Sequence, residues 1–341
     1  MYSESDIDNA VAAGALSPEG ARQFRAHIAA SRAGPAVDEE SFRLLTGFND
    51  IFVSIAIALL LAAVAGIGGA VTPALGGAGV AATAWMLAEY FTVRRRMALP
   101  SIVLLLAFVG GVAAAQVGAL VSLEPNLGER AGALVAAAVA LVTAGAAWAH
   151  WRRFQVPITV AAGAVAAVGV LVALLIAAVP GVEEVVWPAV LLAGLGVFAF
   201  AMRWDLSDRE RRTRRSDVAF WLHLAAAPMI AHSLFKVLGV TGYQVTAGTA
   251  VVVLGLYLLF AVVALAVDRR ALLVSGLAYV LYALFALFRD AGAVELTWSL
   301  TALVIGSALL TLSVFWHPMR RAVVARLGGW GDRLPPVAMT V

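Results

Sequence analysis

Residues 51–71 read IFVSIAIALLLAAVAGIGGAV, 21 consecutive positions without a charged side chain. A helix needs about 20 apolar residues to cross a hydrocarbon core of about 30 Å, so this segment has the length and chemistry of a membrane span. Working outward, nine more segments of the same kind follow, at residues 74–92, 101–121, 131–150, 158–179, 185–204, 218–238, 245–267, 271–288 and 296–316. Thr72-Pro73 makes the first turn a tight one. The whole chain of 341 residues agrees, with 62% hydrophobic and 13% charged residues and a mean hydropathy of +0.92. Soluble domains hold roughly 45–50% apolar and about 25% charged residues, so lipid is the solvent for most of this chain. The expected fold is an all-α polytopic transmembrane bundle of about ten spans.

Only residues 1–49 have soluble composition, and they are read as a small helical head, followed by a membrane domain over 50–317 and a tail over 318–341. In the head, a first helix is expected to end at Gly14, and Ser17-Pro18-Glu19 supplies an N-cap and a proline at the first helical position for a second. A shorter third helix is expected over residues 39–45. So small a module buries a marginal core, and it is expected to lean on the membrane domain or on a protein partner. The start, MYSESDIDNA, is acidic and polar, unlike a basic leader region, so the first span is expected to serve as an uncleaved anchor.

Basic residues test the span count independently. With both termini on one side, the connections and tails of that side hold 21 of the 24 Lys and Arg residues, and only Arg130, Lys236 and Arg289 fall elsewhere. Basic residues mark cytoplasmic loops, so the chain is expected in the bacterial inner membrane with both termini cytoplasmic. The arginines then reflect topology and call for no nucleic-acid partner; the bilayer is the expected partner. Arg94-Arg95-Arg96 and Arg152-Arg153 each lead through a short spacer to a proline and a β-branched run, with Arg269-Arg270 heading a weaker version. On this pattern the spans are read as five tandem helical hairpins.

Ionisable groups at lipid depth point to function by default. Residues 216–236, SDVAFWLHLAAAPMIAHSLFK, string two histidines, a proline and a lysine along one span. Pro228, His232 and Lys236 stack at i, i+4 and i+8 on one face, with His223 about opposite His232. Pro228 frees the carbonyl of Leu224. His232 suits a proton relay, because its ordinary pKa near 6.5 lies close to working pH, or else an interhelical hydrogen bond. Lys236 reads as a group on the path or as a side chain snorkelling to the interface. Glu89 is placed to pair with His223 or with Arg94 to Arg96. Together His223, Pro228, His232, Lys236 and Glu89 form a candidate polar path, with Tyr279 or Tyr282 beside it.

The absence of cysteine rules out disulfides and thiolate metal sites, and five scattered histidines leave little for a metal cage, so neither a metal nor a cofactor is expected. Phosphate-binding, nucleophile-elbow and zinc-protease patterns are missing, which argues against an enzyme. Phe42-Arg43-Leu44-Leu45-Thr46-Gly47-Phe48-Asn49-Asp50-Ile51-Phe52, Phe220-Trp221-Leu222-His223-Leu224 and Arg333-Leu334-Pro335-Pro336 resemble uncharacterised bacterial multi-span inner-membrane proteins with a short helical cytosolic head. The resemblance implies no activity. Two functions stay open: transport or permeation of a proton or small solute, and a scaffold, assembly factor or sensor acting through the head.

Overall fold

The computed structural model describes residues 7, 10–33, 48–179, 181, 183–209, 211, 213–239, 247–292 and 295–336. The chain divides into two compact units, Met1–Ser41 with Pro336–Val341, and Phe42–Pro335. In the first, Gly14 adopts φ 72° just after a helical turn, and the N–H of Ala15 reaches back to the Ala10 carbonyl at 2.9 Å. This is the left-handed helix end that glycine favours. Helix α1, Pro18–Ala33, opens with Pro18 and Glu19, and Ser17 Oγ accepts the N–H of Gly20 at 3.0 Å. The helix expected over 39–45 lies outside the described residues.

Among its described residues the second unit contains helices and no strand, with α2 (Phe48–Val71), α3 (Pro73–Ala88), α4 (Ala98–Leu123), α5 (Glu129–Phe154), α6 (Ile158–Ala178), α7 (Glu183–Leu206), α8 (Arg214–Val237), α9 (Ala247–Val267), α10 (Ala271–Asp290), α11 (Thr297–Val314) and α12 (Trp316–Arg326). Nine of these are long and apolar enough to cross a membrane. The second expected span differs in kind: α3 has 16 residues and runs on as a six-residue π-helix, Glu89–Arg94. Thr72 caps α3 through its hydroxyl, which accepts the Leu75 N–H at 3.2 Å. The last expected span, α11, ends at Val314, and α12 begins two residues later at Trp316.

The most extensive packing joins α3 to α4, α5 to α6 and α7 to α8, with α9 and α10 also paired. These partners are joined by the arginine-rich turns, so the tight pairs lie one helix out of step with the five hairpins expected. The four connections share a backbone conformation. Arg96, Gln155, Arg211 and Asp268, one in each such connection, all have φ between 52° and 59°. Such a residue ends a helix and turns the chain, and Glu124 at φ 43° does the same between α4 and α5. Between α3 and α4 the approach is close enough to require glycine: a Cβ on Gly77 would lie 2.3 Å from the Ala115 nitrogen.

Of the spans, α8 is the most enclosed, with 56% of its apolar window buried against 17% for α2. Its Val218, Leu222, Ala226, Ala227, Ile230, Ala231 and Phe235 form the centre of the larger core. A second core gathers Ile57 and Leu61 of α2, Ala84 and Ala88 of α3, and Leu104 and Leu105 of α4.

Candidate functional site

Two helices and a turn bring a charged cluster together at the arginine-rich end. Asp205, in the last turn of α7, is 1% exposed, as is His223 of α8, and Arg269 of the α9–α10 turn is 2% exposed. His223 Nε2 donates to Asp205 Oδ2 at 2.9 Å. Arg269 grips the same carboxylate with both arms, Nε donating to Oδ2 at 3.2 Å and Nη2 to Oδ1. Its Nη2 also donates to the Ser216 carbonyl at 3.2 Å. A two-armed guanidinium–carboxylate contact fixes direction as well as charge, which is why such a pair can be held inside a bundle. Phe198 of α7 lies edge-on to the His223 ring at 4.9 Å between centroids. His223 Nδ1 is buried and has no hydrogen-bond partner among the described residues.

Asp268, next to Arg269 in sequence, anchors a second layer. Arg211 donates to its carboxylate at 2.9 Å and to its carbonyl at 3.1 Å. The indole N–H of Trp316 donates to Asp268 Oδ1 at 2.8 Å, and Arg320 Nε lies 3.5 Å from the same oxygen. Burial pushes the Arg320 guanidinium below its ordinary pKa, and Asp268 opposes that shift. Arg320 also donates to the Pro335 carbonyl at 2.6 Å. The α9–α10 turn therefore faces the C-terminal segment with Asp268 and the Asp205 cluster with the next residue, Arg269.

The residues singled out from the sequence fall in three places. Glu89 opens the π-helix and is held by both arms of Arg153, with Nε donating at 2.9 Å. It pairs neither with His223 nor with Arg94 to Arg96. His223 belongs to the Asp205 cluster. His232 lies toward the other end of α8, where its Nδ1 meets the Tyr279 hydroxyl of α10 and its ring stands against Trp187 of α7 at 4.9 Å. Lys236 places its ammonium 5.7 Å from the centre of the Trp187 ring. Pro228 and Lys236 are exposed, and α8 runs unbroken through Pro228. The two histidines thus occupy separate clusters.

A cleft of about 540 Å³, lined by Asn49, Asp50, Val53, Tyr90, Phe91, Arg95 and Met97, contains none of those five residues. Among the described residues no group of three His, Asp or Glu side chains is arranged to hold a metal. What the Asp205 cluster can do is pass a proton between a carboxylate and an imidazole at hydrogen-bond distance, with a fixed cation beside them. Asp205 and Arg269 escaped the sequence reading because each looks like an interfacial residue just outside a span. His223 was the visible member.

The fold and this cluster define a polytopic helical membrane protein with a buried ionic centre. No family model, curated protein or solved structure matches the chain.

Proposed function

We propose that this protein sits in the bacterial inner membrane with both termini cytoplasmic and moves a proton or a small solute across it. In this reading the Asp205–His223–Arg269 cluster is the proton-handling group at the cytoplasmic end. The supporting observation is a carboxylate 1% exposed and shared by an imidazole and a guanidinium. Charge at such a place is costly, and bundles that keep it commonly use it for ion or proton passage. The unpartnered Nδ1 of His223 offers the next position for a proton or water.

Reconstituted liposomes carrying a pH-sensitive dye test the reading through His223→Gln. Glutamine keeps a donor for Asp205 but cannot exchange a proton near neutral pH. The expected result is proton flux reduced by more than about tenfold, with the melting temperature nearly unchanged. Full flux in the variant would remove this role. A stability loss without flux loss would favour the other reading, a scaffold or sensor in which the cluster only clasps helices while the head binds a protein.

A further inference from the structure

Between its ends, the enclosure of α8 opens at Pro228. Along the i, i+4 row formed by Leu224, Pro228, His232 and Lys236, Leu224 and His232 are half-buried while Pro228 and Lys236 are exposed. The helix that supplies most of the core thus opens one stripe outward, bordered by Trp187 of α7 and Tyr279 of α10. The stripe changes character along its length. Its first half is apolar, and its last turn carries an ammonium, an imidazole, an indole and a phenol. From Leu224 to Lys236 it spans about 18 Å of helix axis.

The polar end is arranged for an anion. His232 Nδ1 and the Tyr279 hydroxyl are hydrogen-bonded; with the hydroxyl as donor, the neutral ring carries its proton on Nε2, the tautomer the site uses. Lys236, the only lysine in the chain, holds its ammonium over the Trp187 ring, and no carboxylate pairs with it among the described residues. Glu184, one turn before Trp187, makes no ion pair with it. An ammonium and an imidazole that both border the Trp187 ring, at the end of an exposed apolar stripe, match in chemistry a phosphate headgroup with acyl chains below it.

We infer that Trp187, His232, Lys236 and Tyr279 form a binding site for the phosphate of an anionic phospholipid, in the leaflet opposite the arginine-rich end, with the acyl chains along Pro228 and Leu224. One phosphate oxygen takes the Lys236 ammonium and another the His232 Nε2–H. The Trp187 ring holds the Lys236 ammonium in place, and Tyr279 fixes the imidazole.

Native mass spectrometry of protein released from mixed phosphatidylglycerol and phosphatidylcholine bilayers tests this. Wild type is expected to retain phosphatidylglycerol preferentially, and Lys236→Gln to lose about fivefold of that preference. Lys236→Arg should keep most of it, and His232→Ala should weaken it. Equal retention by wild type and Lys236→Gln would overturn the site. Inorganic phosphate displacing the lipid at comparable concentration would show a free-anion site instead. A dimer that depends on Lys236 would show that a second copy, not lipid, covers the stripe.

Discussion

At the scale of single residues, the decisive interaction is the carboxylate of Asp205. Removing an ion from water costs several kcal/mol, and its partners repay this only when geometry and remaining hydrogen bonds are good. Here both carboxylate oxygens are occupied, by Arg269 and His223. Asp205→Ala leaves Arg269 buried beside no anion and should lower stability by about 3–5 kcal/mol. Asp205→Asn with Arg269→Gln removes both charges and should recover more than half of that, as read from thermal unfolding in detergent. Additive losses would mean that the two side chains do not act as a pair. The sequence hid this site for a physical reason. Asp205 follows Arg203 and Trp204, the usual composition of an interface, and its partners are 18 and 64 residues away. Spacing along one helix revealed His223 and His232, yet their partners come from other helices. Glu89 shows the same limit, since Arg153 lies 64 residues on.

At the scale of elements, the long apolar runs made the helices legible, and small residues announced close packing. The π-helical continuation of α3 carried no such mark. Neither did the left-handed turns, because Arg96, Gln155, Arg211 and Asp268 are not glycines. Close approach separates glycines that look alike in sequence. A Cβ on Gly77 meets the α4 backbone at 2.3 Å, whereas one on Gly110 meets nothing within 4 Å. Gly77→Ala should therefore cost about 1–3 kcal/mol by forcing α3 and α4 apart. Gly110→Ala should be neutral or stabilising by up to about 1 kcal/mol, since alanine is the better helix former. The two melting temperatures decide the point; equal shifts would contradict the α3–α4 packing.

At the scale of the whole molecule, the two ends of α8 differ in chemistry. One holds a buried ionic cluster linked through Asp268 and Arg269 to the C-terminal segment. The other presents a lysine and a histidine beside aromatic rings. The proposed orientation puts the first end in the cytoplasm, and reporter fusions after Arg96, Arg153, Arg215 and Arg270 should all report cytosol. A periplasmic signal from one of them would break that topology.

The most direct measurement is proton flux in liposomes by the Asp205→Asn/Arg269→Gln protein, taken with its melting temperature. Because the paired change removes the buried charges together, it should fold with most of the wild-type stability. The account predicts a folded protein whose flux has fallen by more than about tenfold. Wild-type flux from that folded protein would contradict it.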